Sequence, residues 1–313
     1  MTGVQTCALP ISDELARLFP QIRLIRNKTN CGFAGGNNIG MRIALENGAD
    51  YVWLLNNDTV VEKSSLSELV LAGEKKPRLG LLSPVIYYYN QPDKIQFCGS
   101  FFNMDKFQMD YAQGLDDVRL LSDNDNMNLW GTALLIKREV IETIGYFNES
   151  YFAYWEDSEY SFKAIKAGFT GMVALSSVIR HNVEFVSNTD IRKKGDHYYY
   201  YFIRNKYKFF MENSSGMNRI KYVRVFLKKV MYYVLLYKKN NYITGVNSLL
   251  DGVYAAFINK GGSYESRAKM PAFVKQLILS HPYFWKYFFD GDIKHIVSDN
   301  LERFVRRVAR KVQ

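Results

Sequence analysis

Apolar and polar positions along this chain switch repeatedly between a strand period and a helix period. Tyr51-Val52-Trp53-Leu54-Leu55 is continuously apolar and rich in strand formers, which predicts a buried strand. Ile22–Ile25, just after Pro20, predicts a shorter one, and Leu79–Tyr89, Ile95–Phe102, Leu129–Ile136 and Phe169–Leu175 predict four more. Between them apolar residues recur at helical spacing. Helices are expected around Asp13–Phe19, over Asn37–Glu46 with Ile39, Ile43 and Ala44 on one face, over Arg138–Ile144 and over Glu156–Ala167. Ser65-Leu66-Ser67-Glu68 reads as a capping box that opens another helix, running to about Lys75. Gly48, Gly145 and Gly168 mark stops. Strands alternating with helices imply an α/β sheet. After about Asn213 the pattern becomes amphipathic helices with few turn signals.

Composition narrows the class. Of 313 residues, 48% are hydrophobic and 23% charged, which excludes a disordered chain, a collagen-like chain and a coiled-coil rod. The longest apolar run, Val230–Tyr237, is bracketed by Lys228, Lys229, Lys238 and Lys239 and falls short of the roughly 18 residues a membrane-spanning helix needs. Cys7, Cys31 and Cys98 lie far apart, so neither a disulfide framework nor a structural zinc site is expected, and a reducing cytoplasm fits. Met1–Ile11 has no basic n-region and no periodicity. It resembles translated adapter read-through and is set aside, with native sequence expected from near Ser12.

Charge is divided unevenly. Residues 191–313 carry 24 Lys and Arg against 8 Asp and Glu, a balance of +16, and the first 190 residues carry 17 against 23, a balance of −6. The basic part is dense in aromatics, as in Tyr198–Phe202 and Tyr283–Phe289. Aromatics mixed with Lys and Arg suit an anionic membrane surface. A buried aromatic core with a solvated basic rim accounts for them equally well. Stacking on single-stranded nucleic acid is a third reading. The basic residues are interleaved with apolar ones and match no nucleic-acid motif, so no nucleic-acid partner is expected. Arg303–Lys311 reads as a basic amphipathic end, or as a plain exposed tail.

Four constellations carry candidate chemistry. Asn56-Asn57-Asp58 follows a buried strand, where ligands of open α/β sheets bind, and a carboxylate there can hold Mg2+ or Mn2+ on a diphosphate. The same residues also make an ordinary turn. Asn30–Asn38 contains Gly35 and Gly36, which allow close backbone approach, and leads into a helix N-terminus suited to an anion, although a tight turn reads the same way. Trp155-Glu156-Asp157-Ser158-Glu159 crowds carboxylates at a helix start. The helix dipole favours them there without any function, and a positioned Asp or Glu also serves as a general base. His181 follows the last expected strand, as a structural histidine or as a metal ligand.

The ordered set resembles the inverting glycosyltransferases of family 2, in the branch that includes rhamnosyltransferases and galactofuranosyltransferases. The matching residues are Asn30-Cys31-Gly32-Phe33-Ala34-Gly35-Gly36-Asn37-Asn38, Asn56-Asn57-Asp58, Gly131–Ile136, Ile144–Glu149, Tyr151-Phe152 with Trp155-Glu156-Asp157, His181, and Tyr200–Asn205. The resemblance covers about residues 13–213. It implies a GT-A fold, that is, a Rossmann-like mixed sheet flanked by helices, over residues 12–213, with a basic aromatic helical extension over 214–313.

It also implies roles. Asp58 and His181 would hold Mg2+ or Mn2+. Asp157 would be the catalytic base. Gly35, Gly36, Asn37, Asn56, Asn57 and Asp58 would line the site of a dTDP- or UDP-sugar donor. Trp155, Glu156, Gly131 and Thr132 would shape the site of a glycan or lipid-linked acceptor. The implied reaction is inverting transfer of a sugar, L-rhamnose in the rhamnosyltransferase branch, at the inner face of the plasma membrane. Two departures qualify the likeness. The family's opening strand and its nucleotide-contacting acidic residue are missing upstream of Ser12, so this chain is expected to bind donor poorly. Asn56 stands where a D-x-D motif has its first carboxylate. The alternative reading is a non-catalytic fragment that binds glycan or lipid.

Overall fold

The computed structural model describes residues 9–121, 126–184, 194–282 and 285. The basic end expected at Arg303–Lys311, most of Tyr283–Phe289 and residues 1–8 lie outside the described residues. The chain divides into two compact units, Met1–Val186 with Gly261–Ser263, and Ser187–Lys260 with Tyr264–Gln313. The boundary expected near residue 213 falls inside the second unit.

The first unit is built on a mixed sheet. Its elements in chain order are α1 (Leu9–Leu18), α2 (Gly32–Glu46), β1 (Tyr51–Leu55), β2 (Thr59–Val61), α3 (Ser65–Glu74), β3 (Leu79–Tyr88), β4 (Gln91–Phe97), β5 (Ser100–Asn103), β6 (Gln108–Tyr111), α4 (Leu115–Leu121), β7 (Met127–Asn128), β8 (Ala133–Lys137), α5 (Arg138–Ile144), α6 (Glu156–Lys166) and β9 (Thr170–His181). The sheet order is β1-β8-β3-β9-β2, with β4 also on β3. β3 and β9 are parallel, and the other pairs are antiparallel. β3 is buried along Leu79–Ile86, so the continuous apolar run reflects cover on both faces. The core around it gathers Val52, Leu54, Leu81, Val85, Leu134, Ile136 and Ile179 from the sheet with Met41, Val140 and Tyr160 from the helices.

Several expectations change in the structure. Ile22–Ile25 form no strand, because among the described residues no strand pairs with them. The run Ile95–Phe102 is two strands in two sheets. Gly99, at φ +115°, turns the chain between them, and β5 joins β6 and β7 in a separate three-stranded sheet. β9 runs on to His181, six residues past the expected end. Its register against β3 slips beside Pro84, which has no N–H to donate. The capping box at Ser65 does not form. Ser64 is the N-cap, and the Ser65 hydroxyl donates to the Val178 carbonyl of β9 instead.

The second unit is helical, with α7 (Asp196–Glu212), α8 (Gly216–Lys239), α9 (Ile243–Phe257) and α10 (Ala272–Ser280). α7 and α9 meet closely at Gly252, where a Cβ would lie 2.6 Å from the Tyr200 carbonyl oxygen. Much of the aromatic wealth is interior: Tyr200, Phe209, Phe210 and Tyr222 are fully buried. Buried Asp251 is matched by Lys275 at 2.6 Å and by the Met270 N–H at 2.8 Å, as a buried charge requires.

Candidate active site

The site forms where strands of the first unit end. β1 stops at Leu55, and the next residues turn sharply. The Asn56 N–H donates to the Thr132 carbonyl at 2.9 Å, and the Thr59 hydroxyl donates to the Asn56 carbonyl at 2.6 Å. The turn therefore hangs from the sheet at Thr132 and re-enters it as β2. β2 pairs Thr59 with His181, and the Asn182 N–H donates to the Asp58 carbonyl at 2.7 Å. This pairing brings together two residues 123 positions apart. His181 Nε2 lies 3.0 Å from Asp58 Oδ1, and His181 Nδ1 lies 2.9 Å from Gln96 Oε1.

The chemistry of that trio is specific. With Nδ1–H donating to the Gln96 carbonyl oxygen, the Nε2 lone pair faces a carboxylate oxygen. Two acceptors at that distance need a proton or a cation between them. Two donors held side by side on an octahedral cation, each about 2.1 Å from it, also lie about 3 Å apart. The imidazole is nearly buried, and the Asp58 side chain is 43% exposed, which leaves one side open to a ligand. Among the described residues no three His, Cys, Asp or Glu side chains gather as a metal cluster. The pair offers a cation one oxygen and one nitrogen donor on adjacent positions.

The second half of the site is the start of α6. The Gly131 N–H donates to Asp157 Oδ2 at 2.9 Å, and the Ser158 N–H donates to Oδ1 at 2.7 Å. Gly131 and Thr132 are consecutive, so one dipeptide holds Asp157 on one side and the Asn56 turn on the other. A Cβ at Gly131 would lie 2.9 Å from the Phe33 ring, which is why a glycine sits there. Burial pushes the Asp157 carboxyl up, against the pull of its N–H donors, although part of its surface stays open. Glu156 is buried, with Oε2 unpartnered among the described residues. Desolvation and the neighbouring Asp157 push its carboxyl well above the carboxylate range.

Backbone strain collects beside these carboxylates. Phe152, Tyr154 and Trp155 all have positive φ, at 64°, 66° and 74°. Such conformations in non-glycine residues persist where the surroundings fix them, and they cluster at functional sites. Here α2 supplies part of the fixing. The Ala34 N–H donates to the Phe152 carbonyl at 3.2 Å, and a Cβ at Gly32 would lie 2.4 Å from that same oxygen.

The glycine-rich segment is not a loop. α2 already begins at Gly32, so Gly35, Gly36 and Asn37 lie in its first turns. Gly35 is buried, and Gly36 has nothing within 4 Å of its Cβ position. Asn37 turns its side chain back to the Phe33 carbonyl at 2.8 Å. Asn38 is a structural clamp: its amide donates to the Phe147 carbonyl and its oxygen accepts from the Phe147 N–H, each at 2.9 Å. Asn57 is exposed on the turn, Thr132 is half-buried, and Trp155 is buried ahead of α6.

Sequence reasoning missed Gln96, Tyr111 and Trp130. Trp130 stacks on Phe97 at 4.2 Å between ring centroids, and Tyr111 meets Trp130 edge-on at 6.2 Å. Tyr111 is half-exposed, and partial desolvation of its phenol end with the nearby Asp157 raises it to about 12. Gln96 and Phe97 are successive residues of β4, one turned to His181 and one to Trp130. No local motif marks them, because the sheet assembles them.

Comparison with known proteins agrees with this architecture. The family model described as glycosyl transferase family group 2 matches residues 51–299. The low-salt glycan biosynthesis hexosyltransferase Agl10 of Haloferax volcanii is 28% identical over 153 residues, 46% of each chain. Galactofuranosyltransferase GlfT1 of Mycobacterium tuberculosis is 34% identical over 71 residues, 23% of each chain. The chain thus spans less than half the length of these curated relatives. A crystal structure of GalNAc-T7 with UDP, GalNAc and Mn2+ superposes with a TM-score of 0.51 at 12% identity, covering 72% of this chain and 42% of that one. At that identity the likeness is one of fold, and the fold is GT-A.

Proposed function

Since the chain belongs to glycosyl transferase family group 2, we propose that its site transfers a sugar from a nucleotide-sugar donor to a glycan acceptor, with inversion at the anomeric carbon. The observation that carries the reading is the Gly131-Thr132 dipeptide, which ties the Asp58–His181 pair and Asp157 to the same strand end. A diphosphate leaving group and an acceptor hydroxyl need these two kinds of group at one place.

Asp157 is the base. Its Oδ2 accepts the Gly131 N–H and keeps a lone pair for the acceptor proton, while Oδ1 accepts both the Ser158 N–H and, at 3.4 Å, the Ser158 hydroxyl. The raised carboxyl makes it a stronger proton acceptor than an ordinary aspartate. The acceptor oxygen forms a bond to the anomeric carbon as its proton passes to Asp157. The anomeric carbon's bond to phosphate breaks, and the nucleoside diphosphate leaves with the electron pair. Asp58 Oδ1 and His181 Nε2 would hold a divalent cation, Mg2+ or Mn2+, with diphosphate oxygens completing its shell. The UDP and Mn2+ named for GalNAc-T7 motivate those two ligand classes. The cation would supply positive charge against the leaving diphosphate. Gln96 fixes the His181 ring so that Nε2 faces Asp58.

Trp155, Glu156 and Thr132 shape the acceptor side, joined by Tyr111 and Trp130, whose rings suit the apolar face of a sugar. Asn56 and Asn57 border the donor, and Gly36 offers open backbone at the start of α2. Asn37 takes part through its place in the helix rather than through its amide. Among donors, dTDP-rhamnose and UDP-sugars follow from the branch that the motifs resemble. A lipid-linked acceptor and a cytoplasmic, peripheral placement complete the reading.

Asp157→Asn tests it. The change keeps the N–H acceptor on one oxygen and removes the base. Transfer from the preferred donor is expected to fall about 10²–10⁴-fold, with donor binding and melting temperature close to wild type. In the wild type kcat/KM rises with pH through a carboxyl above the ordinary aspartate range. That limb disappears in the variant. Transfer that survives Asp157→Asn at the wild-type rate removes the assignment.

A further inference from the structure

α8 is a 24-residue helix with one face inside and one face open. Tyr222, Phe226, Val230, Val234 and Tyr237 are buried. The opposite face carries Met217 at 66% exposure, Ile220 at 65%, Val225 at 44% and Tyr232 at 52%. Interleaved with these are Lys221, Arg224, Lys228 and Lys229, all exposed. The helix contains no acidic residue. Lys229 Nζ lies 5.2 Å from the Tyr232 ring centroid, so a cation and an aromatic sit together on the open face.

We propose that this face of α8 lies flat on an anionic lipid bilayer, with Met217, Ile220, Val225 and Tyr232 in the headgroup boundary and the four cations on lipid phosphates. This deepens the transfer reading by naming the surface on which the acceptor would be met, and it rests on that reading only for its purpose. Two observations favour a bilayer. Exposed apolar side chains and cations lie together on the outward half of α8, and they supply the two attractions, apolar burial and anionic headgroups, that hold a peripheral helix on lipid. Tyr beside Lys is the pairing found at membrane boundaries. No described helix is long and apolar enough to cross a membrane. A second copy of the same face is disfavoured, because its cations would meet cations with no carboxylate on either helix. A nucleic acid would use the cations and leave the four large apolar side chains in water.

The test is sedimentation of the full chain with vesicles of phosphatidylcholine alone and with 30% phosphatidylglycerol, about the anionic share that gives a substantial surface potential. Each cation near such a surface contributes about fivefold in partitioning. The expected result is binding to anionic vesicles at least about tenfold tighter than to neutral ones, weakening as salt screens the charges. Replacing Lys221, Arg224, Lys228 and Lys229 together by Gln is expected to reduce anionic-vesicle binding about a hundredfold or more. Met217→Ser with Ile220→Ser is expected to weaken it with the charges intact. These side chains are exposed, so both variants should keep the wild-type melting temperature and circular dichroism. Equal binding to neutral and anionic vesicles overturns the proposal. So does undiminished binding by the four-Gln variant, which would assign adhesion elsewhere in the chain. Neither donor nor acceptor is present, so failure here leaves the transfer chemistry standing, and failure of transfer leaves this result standing.

Discussion

Glu156 and Asp157 are adjacent carboxyls in different settings. Asp157 receives two N–H donors. Glu156 is buried, with Oε2 unpartnered among the described residues, and desolvation with the neighbouring Asp157 pushes its carboxyl up. Its raised carboxyl has a consequence for stability. Between the ordinary carboxylate range and its raised value, the folded state keeps a proton that the unfolded state has lost. Stability therefore falls as pH rises through that window. Glu156→Gln removes the ionisation while keeping the shape. Its melting temperature at pH 8 is expected to exceed that of wild type, with the difference closing toward pH 4. A melting-temperature series over that range reads it, and a constant difference at every pH would contradict the buried acid. His181 teaches another lesson at this scale. A lone histidine in a sequence is ambiguous, and only β2–β9 pairing gives it Asp58, while β4 gives it Gln96.

At the scale of elements, much was legible. The apolar run of β1 and the patterns read over α5 and α6 gave their places within a residue or two, and the capping residues at Ser65 placed α3 although the box itself does not form. What stayed hidden depends on long-range hydrogen bonding. Ile22–Ile25 has strand residues and no ladder. Ser65 has capping chemistry, yet its hydroxyl finds Val178. Thr59–Val61 is too short to announce itself and exists because β9 offers an edge. Glycine spacing at the start of α2 resembles a loop because Gly32 is required by the close Phe152 carbonyl and by φ +69°, and not by a turn. The two kinds of glycine separate in experiment. Gly32→Ala is expected to cost about 3 kcal/mol or more, from the left-handed backbone and the overlap. Gly36→Ala meets open space inside a helix, so its unfolding free energy from urea titration should match or exceed wild type by up to about 1 kcal/mol. If Gly36 borders the donor, nucleotide affinity falls in that variant while stability holds. Equal stability in the two variants would contradict the packing of α2 against residue 152.

The whole molecule pairs an acidic α/β unit with a basic helical one, and the charge division was legible from counting alone. Its meaning was less so. Many of the aromatics that suggested a surface are interior in α7 and α8, and those left outside include Tyr232 on α8, Phe257 at the end of α9 and Phe273 on α10. In the first unit the site depends on strand ends brought together by sheet order, so its motifs were readable as types and their partners were not. The central claim is that Asp58 and His181 form a cation-dependent diphosphate site beside Asp157. Calorimetric titration of UDP, dTDP and GDP into the chain, with and without Mn2+, tests it most directly. One nucleotide is expected to bind at least about tenfold tighter with Mn2+, and Asp58→Ala and His181→Ala are expected to abolish that gain, while Asp157→Asn keeps it. A nucleotide affinity indifferent to Mn2+, or unchanged in Asp58→Ala, would contradict the account.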